Sequence, residues 1–415
     1  MRQILDAHIH SRYSRACSPD LTLPNIEIAC EIKGIDIVAT GDFTHPRWFL
    51  HIKKELVETN TGSGLYYLKS SNNKKVKFIL SSEVALIYKD QNKVRKIHLV
   101  IHAPNIEAAE KLNDEWSKRF NLRSDGRPIL GMSAPQLVQD CLKIDKRFLI
   151  YPAHIWTPWF AVFGSKSGFD SIAECFGEET KNIYAYETGL SSDPEMNWRL
   201  SALDKLTLLS SSDAHSLANI GREATILDLD EVTYNEIYQA IKNKDIKKIK
   251  ETIEFYPEEG MYHFDGHRAC HFSCSPEVSK KNKGLCPICK KPLTLGVAYR
   301  VDELADRPLG FVPKNISGYR KLVGLEKIIA ESFSVKSRQS KKVQAEYHKL
   351  IKNFGSELDI LLDVDLKKMG EVTPALIVEG IRRVRMGELI VHPGFDGEYG
   401  VVNIFSDKEK IKNKK

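Results

Sequence analysis

The chain has 415 residues, 42% of them hydrophobic and 28% charged, with a formal net charge of +6 and a pI near 8.7. That length exceeds one small core and implies more than one domain, at roughly 100 to 200 residues each. No apolar run approaches the roughly 18 residues of a membrane span, and the first apolar segment carries Asp6 and His8 and does not read as a signal peptide. The expectation is therefore a cytoplasmic protein with no membrane partner, whose moderate basic excess favours a polyanion.

Short β-rich runs recur through the first half: ILDAHI, IDIVAT, KFILSS, IHLVI, FLIYPA, IYAYE and TLLSSS. Among them lie helical patterns, PNIEIACEIK, NIEAAEKLNDEWSKRF, PQLVQDCLK and EVTYNEIYQAIKN. Strands alternating with helices predict parallel β/α units. From about residue 244 the texture changes: KNKDIKKIKETIEF reads as a basic helical stretch and leads into a segment rich in Gly, Pro and Cys. Beyond residue 300 the predicted helices are LVGLEKIIAESF, KKVQAEYHKLIKNF, SELDILLD and TPALIVEGIRRVRMGEL, the last opened by Thr373-Pro374. The expected division is 1–255, 256–305, 306–405 and a basic tail, 406–415.

Side chains able to bind metal fall at the ends of the predicted strands. His8 and His10 close the first run, alternating on one face with Asp6. Asp42 and His45 follow the second run and Glu83 the third, while His98 lies within the fourth. His154 closes the fifth, Glu187 the sixth, and Asp213 and His215 follow the seventh. The C-terminal rim of parallel strands is where barrel enzymes carry their chemistry. A bare HxH pair says little, but eight of the thirteen histidines precede residue 216 and most occupy this rim. Imidazole and carboxylate together suit Zn, Mn or Fe, and paired cations suit hydrolysis of a phosphate ester. Arg12 and Arg15, beside the first pair, suit a phosphate better than a neutral amide.

Four of the eight cysteines, Cys270, Cys274, Cys286 and Cys289, cluster within twenty residues. In a cytosolic chain such clustering indicates a metal site rather than disulfides. Cys286 and Cys289 form a CxxC turn, and a second pair upstream completes a tetrahedral zinc site. The upstream pair reads either as His267 with Cys270 or as Cys270 with Cys274, with His271 a weaker contender. A closed four-ligand site staples structure and leaves no open position for chemistry. The basic residues around it, Arg268 among them, suit a phosphate backbone. Trp156, Trp159 and Phe160, just after His154, are candidates to stack a base. Glu187 and Asp193 are candidates to line the pocket or orient water, although a helix start at SSDP also explains Asp193.

In order, HIH, TGDFTHP, Glu83 in SSE, His98 in IHL, His154 in PAH and SSDAH resemble the PHP (polymerase and histidinol phosphatase) phosphoesterases over about the first 230 residues. The resemblance implies a distorted seven-stranded β/α barrel in which His8, His10, Glu83, His98, His154 and Asp213 hold two core metals, with His215 at a third. Two positions depart from that pattern. Arg15 stands where the family usually places another ligand, and Thr40-Gly41-Asp42 replaces Thr-Asp-His. With YHFDGHRAC, GLCPICKKPLTLGV and GFDGEYGVVNIF added, the whole layout resembles the endonuclease Q family. That family's GHRxC element favours His267 as the fourth zinc ligand, whereas thiolate preference favours Cys274.

This resemblance implies an α/β PHP barrel, a zinc module and a C-terminal helical domain. The implied activity is a DNA repair endonuclease that cuts on the 5′ side of deaminated bases (hypoxanthine, uracil, xanthine) or abasic sites. Its implied cofactors are divalent Zn, Mn or Mg in the barrel and a structural Zn. Asp193 is expected to be catalytic, and Arg15 or Arg12 to neutralise the scissile phosphate. Arg12, Arg268, Trp156 and Trp159 are expected to touch DNA, with the damaged nucleotide flipped into a pocket between barrel and zinc module. The rival readings are a small-molecule phosphatase of the PHP type and a non-catalytic, zinc-containing DNA-binding protein. The tail shows no clamp-binding box for a sliding-clamp partner.

Overall fold

The computed structural model describes residues 1–90, 92–406 and 409. The chain divides into two compact units. One comprises residues 1–31, 35–252 and 300–318, and the other residues 32–34, 253–299 and 319–415. One change of unit falls between residues 252 and 253. Residues 253–299, however, group with the C-terminal helices rather than forming a third part. Residues 300–318 return to the first unit because Arg307 bonds Trp198 O and pairs with Asp204, and Arg300 bonds Phe163 O and pairs with Asp170.

All seven expected strand runs in the first unit are strands, but they do not close one barrel ladder. In one sheet Arg2–Asp6 pairs in parallel with Ile37–Ala39, which pairs in parallel with Lys77–Ile79. Ala224–Asp228 adds antiparallel to the other edge of Arg2–Asp6. A second sheet has the order Ile129–Leu130, Ser81–Asp90, Lys93–His102, Leu149–Pro152. Ala185–Glu187 and Thr207–Leu209 form a separate parallel pair.

Single backbone bonds stitch these sheets end to end. Phe43 N donates to Ser81 O, Ile155 N to Glu187 O, and Asp213 N to His8 O. The strand ends therefore converge without a continuous ladder among the described residues. The expectation of wholly parallel units fails at Ser81–Asp90 and Lys93–His102. These two ten-residue strands form an antiparallel hairpin, and Lys93–His102 also runs antiparallel to Leu149–Pro152. This reversal explains why His98 sits mid-strand rather than at a rim.

The expected helices appear as Leu23–Lys33, Ile106–Ser117, Ala134–Ile144 and Tyr234–Lys242. Each of the last three presents an apolar stripe to the core, as a surface helix must. The large fully buried side chains include Trp48, Trp116, Trp156, Phe78 and Phe148.

In the second unit, hairpin Asp265–His267/Phe272–Cys274 and hairpin Ile390–His392/Val401–Asn403 accompany helices Leu325–Ser332, Lys341–Phe354, Glu357–Leu362 and Ala375–Met386. The basic stretch expected to be helical, 242–255, is instead a turn followed by the strand Ile249–Glu254. Its apolar residues Ile249, Ile253 and Phe255 alternate with period two, a strand pattern that the lysines mask. The expected tail, 406–415, lies outside the described residues except for Ser406 and Glu409, where Glu409 pairs with Arg383 at 2.6 Å. Among the described residues no helix is long and apolar enough to cross a membrane.

Candidate active site

The strand Arg2–Asp6 ends just before His8 and His10, and a lone bridge from Ile9 to Ala214 holds the extended chain in place. Both imidazoles are buried, at 1% and 0% exposure. His8 Nδ1 lies 3.0 Å from Glu187 Oε2, an acceptor for an N–H at that nitrogen, and Nε2 faces inward. Nε2 is buried with no hydrogen-bond partner, 3.7 Å from Asp213 Oδ1 and 3.8 Å from Glu83 Oε2. His10 repeats the arrangement. Its Nδ1 is 3.1 Å from Asp42 Oδ1, and its Nε2 lies 3.0 Å from Asp213 Oδ1 and 3.3 Å from Glu83 Oε2.

Glu83 also faces the hairpin side. Its Oε1 is 2.8 Å from His98 Nδ1 and 3.0 Å from His154 Nε2. Two groups of ligand atoms result, each within 4.8 Å: His8, His10, Glu83 and Asp213, and Glu83, His98 and His154. Glu83 belongs to both, as a carboxylate bridging two cations would.

The electrostatics point the same way. Burial alone would lower the pKa of His8, but Glu187 and Glu83 raise it well above the ordinary value. His10 is likewise raised, by Asp213, Asp42 and Glu83 against its burial. A buried carboxylate cluster that draws protons onto neighbouring imidazoles is short of positive charge. With the orphaned Nε2 of His8, this donor set fits divalent cations.

Three residues here hold positive φ, which non-glycine side chains seldom adopt: Asp42 at 48°, His154 at 29° and Asp213 at 46°. Surrounding bonds enforce it. His154 N donates to Glu187 Oε2 and Asp213 N to His8 O, both at 2.9 Å. Two glycines are required by close approach. A Cβ at Gly189 would lie 2.4 Å from His154 Cβ, and one at Gly126 would lie 2.3 Å from both Asp42 Oδ2 and Ser14 Oγ.

Comparison with known proteins covers the whole chain. Residues 198–246 match a family model described as PHP-associated, and residues 324–388 match the MJ0043 C-terminal domain. An uncharacterized Methanocaldococcus jannaschii protein, MJ0043, is 32% identical over 260 residues, which is 61% of this chain but 32% of that protein. The uncharacterized Bacillus subtilis protein YqxK is 28% identical over 391 residues, 92% of each chain. The crystal structure of PfuEndoQ, a lesion-specific endonuclease from Pyrococcus furiosus, superposes with a TM-score of 0.86 at 29% identity, covering 99% of this chain and 97% of that one. A structure of endonuclease Q with a 27-mer duplex bearing an abasic lesion at its active site gives 0.84 at 29% identity, covering 99% and 98%. Over its whole length the chain is similar to endonuclease Q.

Several expected site residues lie outside the two ligand groups. Asp42, expected as a ligand, belongs to neither group. Its carboxylate sits behind His10 and also accepts from Ser11 N at 2.7 Å, Ser11 Oγ at 2.6 Å and Ser14 Oγ at 2.9 Å. His215 is also outside both groups, with its ring 4.5 Å from that of His10 and its Nδ1 2.9 Å from Asp213 O. Asp193 caps the short helix Pro194–Asn197, accepting from Met196 N at 2.9 Å.

Arg15, expected to reach the phosphate, has a side chain 82% exposed and pairs with Asp125 at 3.2 Å. Its φ-strained neighbour Ala16 turns the chain just after it. Trp156 is 1% exposed, bonded to Asn197 Oδ1 at 2.7 Å and packed on Phe163, so no base can stack on it. Trp159 is 48% exposed and Arg12 and Arg268 lie at the surface.

Sequence reasoning missed Arg127. Its Nη1 lies 2.9 Å from Glu83 Oε2, and Glu83 and Asp213 hold its pKa above the ordinary value against burial. Nothing in SDGRP signals this, since a lone arginine in a polar loop has no pattern. Glu187 was placed correctly at a strand end, but its role in orienting His8 appears only in three dimensions.

In the second unit His267, Cys270, Cys286 and Cys289 converge within 4.8 Å. The Asp265–His267/Phe272–Cys274 hairpin supplies the first pair. A tight turn, closed by Lys290 N to Cys286 O at 2.9 Å, supplies the second. Cys274 lies outside this group, 8% exposed in an apolar cluster with Cys286 and Leu293. Pairing fixes the difference, because Asp265 stands opposite Cys274 while His267 stands opposite Phe272.

Proposed function

We propose that this chain is a metal-dependent DNA repair endonuclease acting in the cytoplasm, which hydrolyses the phosphodiester on the 5′ side of deaminated bases or abasic sites. The observation that carries this reading is the position of Glu83 in two adjoining groups of ligand atoms. It is supported by the whole-length likeness to endonuclease Q, including the complex of that protein with abasic duplex DNA.

His8, His10, Glu83 and Asp213 would hold one cation and Glu83, His98 and His154 another, drawn from Zn, Mn or Mg. When bound, such cations supply Lewis acidity at the phosphoryl oxygens and ready deprotonation of an attacking water. The chain's own residues prepare this. Glu187 and Asp42 keep protons on the outer nitrogens of His8 and His10 and leave the inner lone pairs available. Arg127 sets a fixed positive charge beside Glu83, where it offsets charge on the scissile phosphate.

Trp159 offers an exposed ring for an unstacked base. His267, Cys270, Cys286 and Cys289 would hold a structural zinc, which would brace the surface bearing Arg268.

The test is an end-labelled duplex with hypoxanthine, uracil, xanthine or an abasic site, incubated with Mg or Mn and with a chelator. The expected result is a metal-dependent nick 5′ to the lesion. A folded preparation that turns over p-nitrophenyl phosphate but leaves DNA intact would identify a small-molecule phosphatase instead. One that binds DNA without cutting it under any of these metals would be a non-catalytic binding protein.

A further inference from the structure

Beside the metal centre, within the first unit, lies an open cavity of about 580 Å3 lined by Arg12, Tyr13, His45, Arg47, Leu50 and Arg123. Arg12, Arg47 and Arg123 form no ion pair among the described residues. Other arginines of this unit are paired, Arg15 with Asp125, Arg95 with Glu174, Arg127 with Glu83, Arg147 with Asp145 and Arg199 with Asp302, while Arg222 is held by the carbonyls of Ser212 and Asp213.

An adjoining cavity shares Leu50 and Arg123, yet its other cations are compensated, Lys53 by Glu110, Lys118 by Glu115 and Arg119 by Asp140. Of the two cavities, this one is lined by arginines with no ion-pair partner among the described residues, and Arg123 stands between the two. Three exposed arginines line this one cavity with no ion-pair partner among the described residues, and their planar donor forks match phosphate oxygens.

The floor of the cavity is built of packed rings. The Tyr13 ring stacks on that of His45 at 4.5 Å and 21°, and Trp48 N donates to His45 Nδ1 at 3.4 Å. Arg12 lies 5.7 Å from the Tyr13 ring centroid, so the aromatic face and the charge are presented together. Both walls belong to the loops that carry the metal centre. Ser14, next to Tyr13, places its Oγ 3.2 Å from His10 Nδ1, and His45 N donates to Asp42 O at 2.9 Å.

We propose that this cavity takes a phosphodiester of the DNA strand next to the one that is cut, and so sets the register of the strand on the metal centre. The inference rests on the endonuclease reading and adds to it a binding site for the flanking backbone. Phosphate contacts of this kind position a duplex without reading its sequence.

The test compares the parental protein with R12A/R47A/R123A, with the charge-retaining R12K/R47K/R123K, and with K118A in the adjoining cavity. Binding to a duplex with an abasic analogue is measured by fluorescence anisotropy, with Ca2+ replacing Mn2+, over a range of KCl. Nicking kinetics with Mn2+ and a titration with inorganic phosphate complete the set.

The triple alanine variant is expected to raise Kd at least about tenfold and to lower the slope of log Kd against log[KCl] by about one to two. KM should rise more than kcat falls, the lysine variant should recover most of the loss, and K118A should match the parent. Parental Kd and slope in a triple alanine variant that still nicks would overturn the inference and leave the endonuclease reading intact. A saturable inorganic-phosphate site lost in that variant, with DNA binding unchanged, would assign the cavity to a free anion and equally overturn it. A parental protein that neither binds nor nicks the duplex would remove both.

Discussion

Arg127 reaches Glu83 across 44 residues of sequence, with Nη1 2.9 Å from Oε2, and so places a permanent cation against the one carboxylate shared by both ligand groups. Arg15, closer to the first histidine pair in sequence, turns away to Asp125.

Arg127→Ala is accordingly expected to lower kcat for lesion nicking about 10²- to 10³-fold, the usual cost of removing one donor from developing charge. Metal affinity should not weaken, because the lost cation competes with the metals for Glu83. Arg15→Ala should change kcat by no more than about threefold, in keeping with an exposed ion pair. Single-turnover nicking together with metal titration checks all three outcomes. A large loss in Arg15→Ala alone would reverse the assignment.

Glu187 and Asp42 act on the metal site through the histidines they orient. Glu187→Gln should weaken divalent-metal binding about 10- to 100-fold, since a neutral amide no longer fixes the His8 tautomer as strongly. Gly126→Ala should do the same from the other side. Its methyl group would meet Asp42 Oδ2 and Ser14 Oγ at 2.3 Å and push the carboxylate away from His10. Isothermal titration with Mn2+ measures both. Unchanged affinity in the two variants would show that His8 and His10 need no such support.

The second unit's cluster separates the two zinc ligand sets. His267→Ala and Cys289→Ala should each lose one zinc per chain by native mass spectrometry and lower the melting temperature. Cys274→Ala should keep the zinc and cost about 1 to 2 kcal/mol as a small cavity in its apolar cluster. Zinc loss in Cys274→Ala with retention in His267→Ala would exchange their roles.

A pH effect on stability is expected from His102. Burial, reinforced by nearby His8, pushes its pKa down to about 3, and its Nε2 is 3.0 Å from the Tyr151 hydroxyl. Its unfolded value is the ordinary 6.5, so between pH 6.5 and 3 the unfolded chain binds the proton and the folded one does not. Stability from this group is complete above pH 6.5 and declines as pH falls, by about 2 kcal/mol at pH 5. His102→Leu should therefore show a smaller fall in melting temperature between pH 7 and pH 5 than the parent. An equal fall in both would rule His102 out as the source.

The sequence by itself determined which residue types stand at the strand ends and in what order. His8, His10, Glu83, His154 and Asp213 were legible because short β runs locate chain reversals, and a metal site draws on few residue types. The CxxC turn was legible for a related reason, since its geometry is local. Only the tertiary structure decided which side chains touch. His8 is oriented by Glu187, 179 positions away, and Asp42 turns from ligand to support because Ser11 and Ser14 fold over its carboxylate. Trp156 and Trp159, three residues apart, divide between core and surface by a loop path that no periodicity encodes. The hairpin that reverses strand direction at His98 was likewise hidden, because a run of apolar residues carries no mark of its direction in the sheet. Local propensity sets the elements along the chain, whereas proton positions and charge pairs depend on atoms that come together only when the sheets are stitched end to end.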